Sequence, residues 1–275
     1  MSAELRYSAT TRWRPSPTIA ASIALHGLAA MTIAFHPDTW RWALGALAAN
    51  HAGLTLLGMW PRSTLLGPNL TRLPAAAIAR REIALTFDDG PDPEVTPQVL
   101  DMLEGCDARA TFFCIAEQAA RHPELCREIV RRGHGLENHS CTHSPAFAFL
   151  GLGGFRRDIA SAQATLTEIA GRAPRFFRAP AGLRNPLLDP VLHQLGLTLA
   201  TWTRRGYDTR EASAPRIVER LTRGLSAGDI LLLHDGDPAR SPEGRPVVLE
   251  VLPALLQAIR AEDLRPVTLG HAIGP

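Results

Sequence analysis

Residues 81–275 alternate short apolar runs with longer amphipathic ones, and this pattern constrains the fold more than any other feature. Residues 83–87 (IALTF) and 230–234 (ILLLH) are typical of buried strands, whereas residues 155–171 have the spacing of an amphipathic helix. Strands that alternate with helices form parallel βαβ units. About seven or eight such units predict a small or incomplete β/α barrel. The other predicted strands are 110–115, 135–138, 175–178 and 197–203, and the other predicted helices are 96–104, 123–132, 185–195, 215–225 and 247–261, with 266–269 as the closing segment.

The charged residues exclude several classes of protein. All 29 basic residues are Arg, which rules out a Schiff-base enzyme, a P-loop NTPase and a protein kinase, because each of these uses a lysine. Residues 81–275 carry 22 Arg against 25 acidic residues, so charge does not predict nucleic acid as a partner. Hydrophobic residues make up 45% of the chain, which excludes disorder. The four Cys form no CxxC pair and are predicted to be free, buried thiols.

Two uncharged apolar runs precede the alternating region. Residues 18–35 and 42–60 each have a length that spans a bilayer, roughly 17–25 residues. A short polar turn joins them, and Trp42 and Trp60 lie at run ends, where aromatic rings favour the lipid–water boundary. We therefore predict a two-helix membrane hairpin within residues 1–60, which contacts membrane lipid.

Other interpretations of these runs stay open. The first run also suits a signal peptide, and both suit buried soluble helices, since they contain His26, Asn50 and His51. Residues 1–80 carry seven Arg and two acidic residues, and most of these Arg lie outside the turn. This distribution favours the inner (cytoplasmic) membrane with both ends in the cytoplasm, although Arg counting alone leaves the side open. Residues 61–80 are rich in Pro and Gly and predict a linker.

Polar residues follow two of the predicted strands, at the edge where β/α barrels hold their active sites. Asp88 and Asp89 come directly after the first strand, in TFDDGP. Two carboxylates this close need a cation or a proton. His139 and His143, in HSCTH, are four residues apart, and on a helical turn they would face one divalent ion. Taken singly, DDGP also suits a turn and paired His residues suit a surface, but together they predict an Asp-His-His metal site.

Three further strand ends carry polar residues. Arg178, in RAPAG, can pair with a nearby carboxylate. Trp202 precedes Asp208 by six residues in TWTRRGYD. The apolar run LLLHD delivers His234 to the same edge, where a carboxylate can hold an imidazole protonated. In isolation Arg178 also suits the surface, and His234 also suits a structural position.

These five segments, in this order, resemble the five motifs of the NodB-type polysaccharide deacetylases (carbohydrate esterase family 4) over about residues 80–275. The resemblance implies a distorted (β/α)7 barrel, with residues 81–275 as the catalytic domain. It also implies a metal-dependent hydrolase of linear amide C–N bonds that removes N-acetyl groups from an N-acetylhexosamine-containing glycan, such as a polysaccharide or peptidoglycan. The implied cofactor is a divalent metal, foremost zinc, with cobalt, manganese or nickel as alternatives.

The resemblance also assigns residue roles. Asp88 would be the base, Arg178 would orient it, and His234 would be the acid. Position 181, where the family usually carries an aromatic residue, is Ala here, so the chemistry is expected without an aromatic wall for a long polymer. The full assignment is catalytic Asp88, His234, Arg178 and Asp208, metal ligands Asp89, His139 and His143, and substrate-binding Ala181, Leu232 and Trp202.

Two alternatives to a polysaccharide or peptidoglycan deacetylase stay open. One is a deacetylase or deformylase of a lipid-linked sugar or glycolipid precursor at the cytoplasmic membrane face, which the Arg distribution favours. The other is an inactive glycan-binding module, which bound metal and acetate release would exclude. A glycosyltransferase recruited by the hairpin is compatible with either enzyme.

Overall fold

The computed structural model describes residues 12–274. Arg6, one of the Arg residues counted for the membrane orientation, lies outside the described residues. The helices are α1 (Pro17–Phe35), α2 (Trp40–Met59), α3 (Ala75–Ala79), α4 (Thr96–Gly105), α5 (Ala116–Arg121), α6 (Pro123–Arg131), α7 (Leu152–Ala170), α8 (Leu188–Leu195), α9 (Ala214–Thr222), α10 (Val248–Ala261) and α11 (Leu269–Ile273). The strands are β1 (Glu82–Asp88), β2 (Ala110–Cys114), β3 (Gly135–Asn138), β4 (Phe176–Phe177), β5 (Thr198–Leu199), β6 (Arg204–Arg205), β7 (Ile230–His234) and β8 (Arg265–Val267).

The strands form one parallel sheet in the order β5-β4-β3-β2-β1-β7-β6, and β8 pairs with the first residues of β1. β1, β2 and β7 are buried along their whole length. One face of these strands packs against helices such as α4 and α10, and the alternate residues pack against side chains that include Leu70 and Phe176. Within residues 12–274 no strand pairing joins β5 to β6, so the sheet curls into a half-barrel that stays open on one side. The predicted barrel is confirmed in this curled parallel form.

The core lies between the sheet and the helices that follow its strands. The largest apolar cluster joins residues of β1, β2 and β7 to residues of α4, α9 and α10. Leu252 is at its centre on α10 and is fully buried. Truncating a buried Leu to Ala typically costs about 2–5 kcal/mol of stability. All four Cys are free as predicted, but only Cys114 and Cys126 are buried, whereas Cys141 is half-buried and Cys106 is exposed.

The predicted strand 197–203 is only partly correct. β5 covers only Thr198–Leu199, although the Ala200 N–H still donates to the Phe177 carbonyl of β4 at 2.9 Å. On the opposite edge Ala200 forms a parallel bridge with Leu70, and the Thr201 N–H donates to the Leu70 carbonyl at 2.9 Å. β6 then pairs with β7. A segment before the alternating region therefore pairs with the end of β5, on the side away from β4.

Residues 61–80 lie against the half-barrel. Leu70, Leu73 and Ala77 are almost fully buried, at 1%, 3% and 0% exposure, and belong to an apolar cluster with residues of β1, β2 and β7. Asn69 Nδ2 donates to the Pro61 and Ser63 carbonyls at 2.8 and 3.0 Å. The segment that the sequence predicts as a linker thus forms part of the barrel wall, while the division of the chain into domains stays a prediction.

The two N-terminal helices pack against each other and are joined by a three-residue 3-10 turn. Ser16 caps α1 by accepting a hydrogen bond from the Ile19 N–H. Asn50 Nδ2 donates to Ser22 Oγ across the pair at 2.8 Å. Among residues 12–274, α1 is the one helix that is both long and apolar enough to cross a membrane, and α2 does not reach the same mean hydropathy.

Candidate active site

The carboxyl end of β1 brings two carboxylates to the open edge of the sheet. Asp88 is the last residue of the strand and is buried, and Asp89 has a left-handed backbone with φ of 73°. The N–H groups of Asp235 and Gly236 both donate to the Asp88 carbonyl at 3.2 Å, which ties this turn to the end of β7. The two side chains therefore leave the strand at a fixed point.

The two histidines lie in the loop that follows β3. The prediction of a helical turn is wrong, because residues 139–143 form an irregular loop in which Ser140 and His143 have φ of 70° and 53°. His139 Nδ1–H donates to the Arg178 carbonyl at 2.8 Å, which leaves Nε2 free to face Asp89. The His139 and His143 rings lie 5.0 Å apart between centroids. The conformation of this loop, rather than a shared helix face, therefore brings the two imidazoles together.

Asp89, His139 and His143 offer three ligand atoms that all lie within 4.8 Å of one another. Asp89 Oδ1 is 3.2 Å from His139 Nε2 and 3.3 Å from His143 Nε2. This oxygen is buried and accepts no hydrogen bond of normal geometry from any residue between 12 and 274. Burial alone would raise the pKa of Asp89, but the surrounding imidazoles outweigh it and hold the pKa at about 2. One carboxylate and two imidazoles fit a zinc-like ion.

Arg178 follows β4 and is completely buried beneath these residues. Nη1 donates to Asp88 Oδ1 at 2.7 Å and to Thr86 Oγ1 at 2.8 Å, and Nη2 donates to the Thr201 carbonyl at 2.9 Å. Burial lowers the pKa of Arg178, yet an Arg guanidinium stays charged in proteins. The pair fixes one oxygen of Asp88 and leaves the other available.

His234 ends β7 and is held from behind by Asp208. His234 Nδ1–H donates to Asp208 Oδ1 at 2.8 Å, and the His234 backbone N–H donates to Asp208 Oδ2 at 2.8 Å. Burial lowers the pKa of His234, but the Asp208 carboxylate outweighs it and the pKa is raised overall. Nε2 lies 4.0 Å from Asp89 Oδ2. The imidazole therefore presents a proton towards the same centre.

A cavity of about 280 Å³ joins these groups. All ten residues singled out by the sequence come together here: eight line the cavity, and Arg178 and Asp208 lie directly behind it. The eight lining residues are Asp88, Asp89, His139, His143, Ala181, Trp202, Leu232 and His234.

Comparisons with known proteins agree with this geometry. The family model for polysaccharide deacetylases matches residues 76–200. A peptidoglycan-N-acetylglucosamine deacetylase of Bacillus cereus is 31% identical over 192 residues, which cover 69% of this chain and 67% of that protein. The chain belongs to the polysaccharide deacetylase family. A chitooligosaccharide deacetylase of Azorhizobium caulinodans is 37% identical over 170 residues, which cover 60% of this chain and 79% of that protein.

Solved structures of the polysaccharide deacetylase family share the fold. The Bc1960 peptidoglycan N-acetylglucosamine deacetylase superposes with a TM-score of 0.67 at 28% identity, over 74% of this chain and 92% of that chain. The family 4 carbohydrate esterase from Streptomyces lividans, solved with acetate, superposes with a TM-score of 0.61 at 33% identity, over 67% of this chain and 91% of that chain. The half-barrel with its pocket is thus a deacetylase fold.

Two residues at the deacetylase pocket escaped the sequence analysis. Asp235 is completely buried and accepts a hydrogen bond from Thr96 Oγ1 at 2.6 Å. Burial raises its pKa to about 7. A Cβ on Gly90 would lie 2.2 Å from its carboxylate, so Asp235 supports the turn after Asp89. Both lie in segments that the sequence analysis quoted. Asp235 ends LLLHD, and Arg205, which lines the pocket, lies in TWTRRGYD between Trp202 and Asp208, where no pattern distinguishes it from Arg204.

Proposed function

We propose that this protein is a metal-dependent hydrolase that removes N-acetyl groups from an N-acetylhexosamine-containing glycan. The observation that carries the proposal is the convergence, in one cavity, of a carboxylate-imidazole ligand set, a second carboxylate and a carboxylate-held imidazole. Relatives named as deacetylases of peptidoglycan and of chitooligosaccharides support the reaction class.

Asp89, His139 and His143 would hold the divalent metal, and their oxygen and nitrogen donors suit zinc. When bound, the metal supplies a Lewis acid that polarises the acetyl carbonyl and lowers the pKa of a water molecule. The hydrogen bond from His139 Nδ1–H to the Arg178 carbonyl keeps Nε2 as the ligand nitrogen.

Asp88 is the proposed general base. Arg178 occupies Asp88 Oδ1, while Oδ2 faces the cavity and lies 3.8 Å from His139 Nε2. Oδ2 takes the proton of the attacking water, and the Arg178 pair keeps the carboxylate from rotating away. General-base transfer of this kind contributes about 100- to 10,000-fold to turnover.

His234 is the proposed general acid. Asp208 fixes Nδ1 and stabilises the imidazolium, so Nε2 donates its proton to the leaving amine as the C–N bond breaks. Leu232 lines the wall that receives the acetyl methyl group. The Ala181 N–H is the proposed donor to the carbonyl oxygen as it gains negative charge.

Acetate release from N-acetylated chitooligosaccharides and peptidoglycan fragments tests the reaction. We expect a loss of about 42 mass units per event, calculated from the exchange of an acetyl group for hydrogen. Chelation should abolish release, and added zinc should restore it. Binding of these glycans without any release, in zinc-loaded protein, would instead identify a glycan-binding module and refute the hydrolase.

Membrane attachment through residues 12–60 is a second part of the proposal. The outward faces of α1 and α2 are apolar, with Met31 and Phe35 on α1 and Trp42 and Leu56 on α2 all more than half exposed. A lipid bilayer would cover them. A soluble protein rarely exposes apolar surface of this extent.

One contact favours a lipid-linked sugar as the second candidate substrate. Pro61, two residues after α2 ends, packs so closely on Gly182 that an added Cβ there would lie 2.8 Å from it. Gly182 lines the cavity beside Ala181. If the hairpin spans the bilayer, the mouth of the pocket lies next to the membrane surface, within reach of a sugar attached to a lipid.

The side of the membrane decides which glycan pool is available. A reporter active only outside the cytoplasm, fused after Pro275, should stay silent, because the flanking Arg residues favour a cytoplasmic domain. A reporter active only in the cytoplasm should give signal at the same position. The opposite pattern would contradict the cytoplasmic lipid-linked candidate and direct the search to cell-wall glycans.

A further inference from the structure

Arg205 lines the pocket with a guanidinium whose hydrogen bonds are not all satisfied. It lies on β6 in register with Leu232 of β7, and both side chains line the cavity. Its guanidinium carbon lies over two aromatic rings, 5.2 Å from the centroid of Trp202 and 5.1 Å from that of Tyr207. Its Nε is buried and has no hydrogen-bond partner among residues 12–274. A buried donor without a partner is costly and calls for an explanation.

The neighbouring residue shows that the missing partner is specific to Arg205. Arg204 points to the opposite face of the strand, where it donates to Asp229 Oδ2 at 2.6 Å and to the carbonyls of Arg223 and Gly224. The carboxylates that line the pocket, Asp88, Asp89 and Asp237, form no ion pair with Arg205 in the described chain.

The surroundings of the guanidinium suit an anion. Contacts with the two rings restrain it, and an Arg guanidinium carries the N–H groups that recognise carboxylate and phosphate through paired hydrogen bonds. Tyr207 is itself held in a left-handed conformation with φ of 62°, and Arg220 lies 6.0 Å from the centroid of its ring. Arg210 adds a second positive charge to the lining.

We propose that Arg205 forms an oxyanion subsite, which binds a carboxylate or phosphate carried by the substrate sugar close to the acylamino group. This inference rests on the proposed function, since it places the anion on the same sugar that is deacylated. Arg205 is then a specificity-determining residue, whereas the groups that break the amide bond lie elsewhere in the cavity. A neutral chitooligosaccharide would leave the guanidinium without its partner.

Two pairs of ligands that differ in charge test the subsite and its chemistry. The first pair is an N-acetylmuramic acid-containing disaccharide and its carboxylate methyl ester. The second is N-acetylglucosamine 1-phosphate and the methyl glycoside of N-acetylglucosamine. Binding to the full-length protein in detergent is measured by calorimetry with the metal chelated, and kcat/KM is measured after zinc is added. The variants are Arg205→Gln, Arg205→Lys and Arg220→Gln, the last as a control that also contacts the Tyr207 ring.

The parent protein should bind the charged member of at least one pair about 10- to 100-fold more tightly than its neutral partner. Arg205→Gln should remove this preference, Arg205→Lys should retain part of it, and Arg220→Gln should retain all of it. The pair that responds identifies the anion as carboxylate or phosphate.

Equal binding of charged and neutral ligands by the parent would overturn the subsite, as would an Arg205→Gln variant that loses affinity for both alike. The proposed function fails separately, when zinc-loaded parent releases no acetate from any ligand. In that case the binding of charged and neutral ligands to metal-free protein still tests the subsite.

Discussion

One group of polar side chains lies between α1 and α2, and another lies in the pocket. The two groups differ in whether their polar atoms are hydrogen-bonded within the group. Between α1 and α2, Asn50 donates to Ser22, and His26 and His51 are joined at 3.2 Å between their Nε2 atoms. Each group there is paired within the cluster. In the pocket, by contrast, Asp89 Oδ1 is buried beside imidazoles and has no hydrogen-bond partner in the part of the chain that the structure describes.

This difference separates polar groups that stabilise a structure from polar groups that serve a ligand. A self-paired cluster satisfies its own donors and acceptors and fixes the register of two helices. In a cluster where a buried oxygen lacks a hydrogen bond, the atoms that can ligate a metal are directed at a point that a cation can occupy. We therefore expect changes in the pocket to remove activity, and changes between the helices to alter stability alone.

The largest effect is expected from removing the proposed base. Asp88→Asn keeps the size of the side chain but cannot accept the water proton, so turnover should fall about 100- to 10,000-fold. Asn50→Ala, the matched change between the helices, should leave kcat within about twofold because it touches no pocket residue. Steady-state acetate release by the two variants measures both. Near-parent turnover by Asp88→Asn would remove Asp88 from the base role.

A smaller effect is expected from the support of the proposed acid. Asp208 raises the pKa of His234 above its ordinary value of 6.5 against the effect of burial. Activity that needs protonated His234 falls as pH rises through this pKa, so the parent's alkaline limb lies above 6.5. Asp208→Asn should lower the pKa of His234 and move the limb to lower pH. If kcat/KM of the variant begins to fall about one pH unit lower, it is about tenfold smaller than that of the parent on the alkaline side of the profile.

The pH profile of kcat/KM from about pH 5 to 9 checks this change. The same raised pKa of His234 also stabilises the fold below the unfolded value, and this contribution is lost as pH rises through the folded value. An unchanged alkaline limb in Asp208→Asn would mean that another group sets it.

The fold and the site were predictable to different depths. Strand 135–138 was predicted with its observed bounds. It begins at a Gly and ends before polar residues, so the local sequence alone marks both of its ends. The pairing of Leu70 with Ala200 at the end of β5 was not predicted, since it depends on a contact between residues distant in the chain. The site residues were found through their motifs. Arg205 lies in one of those segments, TWTRRGYD, but the sequence does not show which of Arg204 and Arg205 faces the pocket, and only the pairing of β6 with β7 decides this.

The smallest effect is expected from the helix pair. Ser22→Ala removes the acceptor of Asn50 Nδ2, and we expect the free energy of unfolding to fall by about 1 kcal/mol. Thermal unfolding in detergent measures the change, and acetate release at low temperature should equal that of the parent. A loss of turnover in the folded variant would break the separation between the two clusters.

Metal content and acetate release, measured on the same samples, test the central claim most directly. The parent should bind one divalent ion per chain, and release should rise in proportion to its occupancy. Asp89→Asn and His143→Ala should lose both together, whereas His122→Ala, a His outside the pocket, should lose neither. Acetate release that persists at full rate in metal-free protein, or in variants of Asp89 and His143, would contradict the account.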